Sequence, residues 1–231
     1  MRIFHKEFGY RYDSYEFGYT TYAKLEKKDQ LKDVYAAGFL PHSADPKIHD
    51  QFYMARSVRV PLQQFSLTSE NRRIEKKFVD HFTTEILSYE ELKKDAEFLP
   101  CFLSYFEARH GERVMSKERA LGILATTLPL RAIKYRDGDV VAGYVLEIIG
   151  DGFSHYWYSC YQPTYAGSSF GMWMMLDALH RGKNEGRDYA YLGTAYGDKG
   201  KYKTNFSPLQ FWDGDIWNND LSELKRRIKT V

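Results

Sequence analysis

The sequence predicts an α+β protein built on a mixed sheet flanked by helices, with a smaller α/β half before it. Three observations carry this. Residues 130–161, "LRAIKYRDGDVVAGYVLEIIGDGFSHYWYSCY", read as three antiparallel strands, with "RDGD" and "GDG" as the hairpin turns. Next, "QPTYAGSSFGMWMMLDALHRGKNEG" reads as a loop and a helix stopping at Gly182 or Gly186, and "DYAYLG" (188–193) as a strand covered on both faces. With 231 residues, 43% of them hydrophobic, the chain can bury the core that such a sheet needs.

The elements before residue 130 follow from local signals. "YEFGYTTYAKLE" (15–26) alternates like a strand, and "DQLKDVYAAGF" (29–39) is a short amphipathic helix stopped by Gly38. Pro41 and Pro46 punctuate a loop over 38–52. "YMARSVRVPLQQF" (53–65) alternates again, with Pro61 marking an edge or a strand end. Ser69 is placed to cap a helix running to Phe82, Ser88 and Glu91 form a capping box, and Ser116 opens "KERALGILATT".

Composition excludes several classes. No stretch is apolar enough to cross a membrane, and the charged, tyrosine-rich N-terminus is unlike a signal peptide, so the cytoplasm is the expected compartment. Cys101 and Cys160 stand far apart, which fits neither a disulfide framework nor a zinc site, and the scattered histidines predict no metal. Net charge is only +2, but "NRRIEKK" (71–77) and "KRRIK" (225–229) concentrate cations. Such runs are ordinarily solvated helix faces; beside 19 Tyr and four Trp they also fit stacking on single-stranded RNA.

Three antiparallel strands, a helix entered through a small-residue turn, then a further strand is the core order of the GNAT acetyltransferase superfamily. In that fold a glycine-rich turn presents backbone N–H groups to the pyrophosphate of CoA. Here "YAGSSFG" (165–171) is a poor match, with Gly167 and Gly171 four apart and no leading Arg or Gln. A CoA-dependent N-acyltransferase is therefore the second choice, and a plain serine-capped loop competes at this turn.

Five stretches resemble the arginyl-tRNA protein transferases and their bacterial leucyl-tRNA protein transferase relatives. They are "FYMARSVRVPLQQFSLTSENRR" (52–73), "YFEARHG" (105–111), the three central strands, "SSFGMWMMLDAL" (168–179) and "YAYLGTAYGDKGKYKTNFSPLQ" (189–210). The last is the most specific, because Y-L-G followed by Y-K-x-x-F-x-P sets several residue types at fixed spacing. Two departures stand out. The family's N-terminal cysteines are absent, so no metal or cluster role carries over, and the arginines that precede its R-S-L-G helix start are replaced by Gly167 and Ser168.

The resemblance implies transfer of an amino acid from an aminoacyl-tRNA to the α-amine of a protein N-terminus, as in N-degron tagging, on a GNAT-like fold without CoA or another cofactor. An aminoacyl ester is already activated, so aminolysis needs positioning, a donor for the developing oxyanion and removal of one proton. No strong nucleophile is required of the chain. The matching positions imply Tyr191, Lys203 and Asp198 as catalytic, with Gly193, Tyr202, Phe206, Ser169 and Gly171 around the acceptor end. Arg56, Arg59, Arg72 and Arg73 would hold tRNA phosphates or an acidic N-terminal residue. Competing readings are a core ring for Tyr191, a solvated loop lysine for Lys203, a turn residue for Asp198 and a structural hydrogen-bonding role for His110. Residues 1–87 would form an N-terminal region and 88–231 the catalytic region. A non-catalytic tRNA or N-degron binding module is the third reading.

Overall fold

The computed structural model describes residues 1–11, 16–27, 30–43, 48, 50–111 and 114–229. A four-stranded antiparallel sheet comes first in the chain: β1 (Arg2–Arg11), β2 (Glu16–Lys24), β3 (Phe39–Pro41) and β4 (Gln51–Met54), in the order β1-β2-β4-β3. Helix α1 (Leu31–Ala36) joins β2 to β3 and ends at Gly38, whose φ is +79°. Only glycine fits there, since a Cβ would stand 2.3 Å from the Trp212 indole. The expected loop over 38–52 thus contains β3 and the start of β4; residues 44–47 and 49 lie outside the described ones.

The large sheet has eight strands. In chain order these are β5 (Ser57–Pro61), β6 (Thr83–Ser88), β7 (Leu130–Asp137), β8 (Val140–Gly150), β9 (Phe153–Tyr161), β10 (Tyr189–Thr194), β11 (Gln210–Trp212) and β12 (Trp217–Asn218). Across the sheet they run β12-β11-β5-β10-β9-β8-β7-β6, so strands from both sides of residue 88 contribute. The three strands expected over 130–161 are β7, β8 and β9, turned at Gly138 and Gly152 with φ of +57° and +72°. Helix α6 (Phe170–Asn184) carries the chain back across the sheet, and β10 pairs with β9 in parallel. This is the GNAT-like mixed sheet flanked by helices that the element order predicts.

Side chains alternate between two cores. Tyr144, Leu146 and Ile148 of β8 point to one face, under α4 (Phe98–His110) and α5 (Lys117–Leu124). Val145 of β8 and Ile133 and Tyr135 of β7 point to the other, under α2 (Ser69–Phe78), α6 and α8 (Leu221–Lys229). Ile74 and Phe78 on α2, and Leu224 and Ile228 on α8, bury the apolar stripes of the two basic segments and leave their cations outward.

Three local expectations change. The run 53–65 is not one strand: it breaks at Ala55 and Arg56, sending β4 to the small sheet and β5 to the interior of the large one, where Pro61 is a strand end. The helix expected from Ser69 to Phe82 is capped by Thr68, whose Oγ1 accepts from Asn71 N at 3.1 Å, and ends at Phe78. Asp80 then takes a φ of +53°, and the chain enters β6. The helix after Ser88 is two: α3 (Tyr89–Lys94), closed by the expected capping box, and then α4.

Candidate active site at the parted end of two central strands

β9 and β10 hold together only as far as the pair Tyr191 and His155. Two residues on, Gly193 adopts a φ of +81°, and the register of β10 on β5 shifts between Tyr191 and Thr194. The strands part there, and a cleft of about 980 Å³ opens between them. β9 supplies one wall and the start of α6 another; Tyr105 and Arg109 of α4 and the loop after β10 close the rest. The rings are packed: Tyr105 lies 4.7 Å from Tyr161, and Trp157 lies 5.1 Å from Tyr158 between centroids.

The floor holds Lys203 and His155, with Tyr35 buried beneath them. Lys203 is 9% exposed, donates from Nζ to Thr194 O at 2.5 Å, and makes no ion pair among the described residues. Burial lowers its pKa from 10.5 to about 8, so a fraction of it is a neutral amine near neutral pH. His155, 2% exposed, bonds through Nδ1 to the Tyr35 hydroxyl at 2.9 Å. Burial, with a smaller contribution from the Lys203 charge, pushes its pKa from 6.5 down to about 3, and the ring is neutral. Tyr35 is fully buried, which raises its pKa well above the ordinary value. At the rim stand Arg109, His110 and Lys199. The His110 pKa is lowered by burial first and then by those two cations, and neither cation has an ion pair among the described residues.

Of the residues named from sequence, Lys203, Tyr202, Gly193, Ser169 and Gly171 come together on the cleft. At its entry turn Ser168 Oγ accepts from Phe170 N at 3.2 Å, while Ser169, with a φ of +73°, makes no side-chain cap. Tyr191 and Phe206 are buried core residues. The Tyr191 hydroxyl accepts from Arg59 at 3.2 Å, and burial raises its pKa. Arg59, 8% exposed, lies flat between Tyr189 and Trp217, 3.8 and 4.0 Å from their ring centres, and donates to Gln210 at 2.7 Å. That sandwich buries most of the guanidinium away from solvent.

Asp198 is exposed on the short helix α7 (Gly197–Gly200), outside the cleft lining. Arg56 bridges to Arg227 O at 2.8 Å, bracing α8 against the end of β10. Arg72 and Arg73 are exposed on α2, one donating to Leu67 O and the other to Glu70. Sequence reasoning missed His155 and Tyr35. The available signal was a histidine inside an otherwise apolar and aromatic strand, "GFSHYWY". Among the described residues no group of three His, Cys, Asp or Glu is arranged to hold a metal, and no helix is long and apolar enough to cross a membrane.

The topology, with a cleft at the parted strands, is the GNAT-like arrangement of a mixed sheet flanked by helices. The family model described as arginine-tRNA-protein transferase, C terminus, matches residues 97–213. The aspartate/glutamate leucyltransferase of Parvibaculum lavamentivorans is 31% identical over 169 residues, covering 70% of this chain and 68% of that protein. The one from Methylorubrum extorquens is 30% identical over 173 residues, covering 67% of each. The chain belongs to the arginine-tRNA-protein transferase family and is an aminoacyltransferase. Among solved structures, the C-terminal domain of a putative lysylphosphatidylglycerol synthetase from Agrobacterium fabrum aligns with a TM-score of 0.48 at 12% identity, over 72% of this chain and 51% of that one. FemX aligns with a TM-score of 0.46 at 11% identity, over 76% and 62%.

Proposed function

We propose that this chain moves an amino acid from the 3′ end of an aminoacyl-tRNA to the α-amine of a protein N-terminus, with leucine as the amino acid and Asp or Glu as the acceptor residue, in keeping with relatives named aspartate/glutamate leucyltransferase. The observation that carries the reading is the cleft itself: packed aromatic rings, a cationic rim and a buried amine at one strand end, in a member of this family. The rings suit the 3′-terminal adenosine, since a base gains about 1–3 kcal/mol by stacking on an aromatic face. Arg109 and Lys199 suit the phosphates behind it. Lys77 of α2 donates to Ser168 O beside the cleft turn, which puts exposed Arg72 and Arg73 on the neighbouring surface for the acceptor stem. The cytoplasm, where charged tRNA is held, is the proposed compartment.

The chemistry follows from the groups present. The α-amine attacks the ester carbonyl carbon, a C–N bond forms, and the C–O bond to the ribose breaks. Neutral Lys203 takes the proton shed by the attacking amine and passes it to the ribose oxygen. Incubating the chain with separately charged, radiolabelled tRNAs and peptides of varied N-termini, beside an acetyl-CoA control, tests this. Label should pass from leucyl-tRNA into peptides beginning with Asp or Glu. Label entering only from acetyl-CoA would overturn the reading, and tRNA binding without transfer would point to the binding module.

A further inference from the structure

Tyr35 and His155 come from elements 120 residues apart and meet beneath the cleft. The phenol stays protonated in its dry surroundings, so its O–H must donate to something. Among the described residues its hydrogen-bond partner is His155 Nδ1, at 2.9 Å. An Nδ1 that accepts carries no proton, and a neutral imidazole then carries its single proton on Nε2. The opposite tautomer would leave the phenol with a buried, unsatisfied donor. An imidazolium is opposed by burial and by Lys203 on the same floor, with no carboxylate paired to the ring among the described residues.

Nε2 is the nitrogen on the cleft side. The point where a Cβ would stand on Gly193 lies 4.0 Å from His155 Nε2 and 3.5 Å from Lys203 Nζ. Gly193 has no side chain to occupy that point, so the space over its Cα is flanked by an N–H donor and an amine, and it opens into the cleft. That point is one bond length from Cα, so a substrate oxygen that accepts from Nε2 sits farther out, in the cleft between the two nitrogens.

We propose that His155, held by Tyr35 with its proton on Nε2, donates a hydrogen bond to the carbonyl oxygen of the aminoacyl ester over Gly193. This rests on the transfer reading above. As the α-amine attacks, the carbonyl π pair moves to the oxygen, and the charge that gathers there faces the Nε2–H. The pair returns as the ribose C–O bond breaks, with Lys203 carrying the proton from the amine to the ribose oxygen. His155 is a catalytic residue in this step, and Tyr35 is a positioning residue that sets its tautomer.

Two measurements on the full chain test it. Long-range ¹H–¹⁵N correlation spectra report the tautomer without any substrate, and should show His155 neutral with its proton on Nε2. A proton on Nδ1, or a doubly protonated ring near neutral pH, would overturn the proposal. Single-turnover transfer from leucyl-tRNA to an Asp-initiated peptide should fall about 100-fold in His155→Ala with binding of both substrates unchanged, as for loss of one oxyanion donor. His155→Gln, whose amide N–H can occupy the Nε2 position, should recover part of that loss. Tyr35→Phe should slow transfer and populate both tautomers, a shift that a merely structural tyrosine would not cause. A folded His155→Ala that transfers at the wild-type rate would overturn the proposal. If the wild-type chain transfers nothing from any charged tRNA, the transfer reading fails instead and takes this proposal with it.

Discussion

Replacing Lys203 with methionine should abolish transfer and, near pH 7, stabilise the fold. Methionine keeps the unbranched shape of the stem and removes the buried charge. In the folded chain the ammonium pKa is lowered from 10.5 to about 8, and each unit corresponds to about 1.36 kcal/mol, so protonated Lys203 destabilises the fold by roughly 3 kcal/mol. Against that, the substitution leaves the Thr194 carbonyl without its donor, which costs about 1–3 kcal/mol, for a net gain of about 1 kcal/mol near pH 7. The sign reverses with pH. Below about 8 both folded and unfolded chains hold the proton, and the full penalty applies. Between about 8 and 10.5 the unfolded chain holds a proton that the folded one has released, so wild-type stability rises with pH. Above 10.5 the penalty is gone, and the variant, still missing its hydrogen bond, is the less stable protein. Urea unfolding followed by tryptophan fluorescence across this range should therefore give curves that cross between about pH 8 and 10.5. Parallel curves, or a variant that is less stable at every pH, would refute the argument that Lys203 is buried without an anionic partner.

Arg59→Ala should destabilise the fold by about 2–4 kcal/mol through the loss of two ring contacts and two hydrogen bonds, while the salt dependence of tRNA binding stays unchanged. Arg59→Lys should not restore urea stability, because an ammonium cannot lie flat between Tyr189 and Trp217. Gly193→Ala should cost about 1–2 kcal/mol, from a φ of +81°, and should lower kcat as the methyl fills the space between His155 and Lys203. Arg109→Ala and Lys199→Ala should each flatten the dependence of log affinity for tRNA on log salt by about 0.7, read by filter binding at several ionic strengths; unchanged slopes would remove these rim cations from the phosphate path.

Much of the architecture was legible because its determinants are local. β7, β8 and β9 show as alternating runs between glycine turns, and α3 and α5 begin at the serines that cap them. The cleft loop stood out because Tyr202 and Lys203 keep their spacing from the strand ending at Gly193. In the sequence β5 merges into a longer alternating run, since its place between β10 and β11 depends on partners more than a hundred residues away. From sequence Arg59 is a candidate for a phosphate or an acidic N-terminal residue, and its burial is not legible there, because Tyr189 and Trp217, which wall it in, are remote in the chain.

By itself, then, the sequence determined the element order, the turns and the residue types offered around the end of β10, since periodicity, capping and turn chemistry operate between neighbours. Only the tertiary structure decided which of those residues are brought to the cleft and how deeply they are buried. The reactivity of Lys203 and the tautomer of His155 depend on water being excluded by segments far apart in the chain, with Tyr35 reaching His155 from α1 and Thr194 O accepting from Lys203 at the strand end. Solvent exclusion is a property of the packed molecule, and no local pattern carries it.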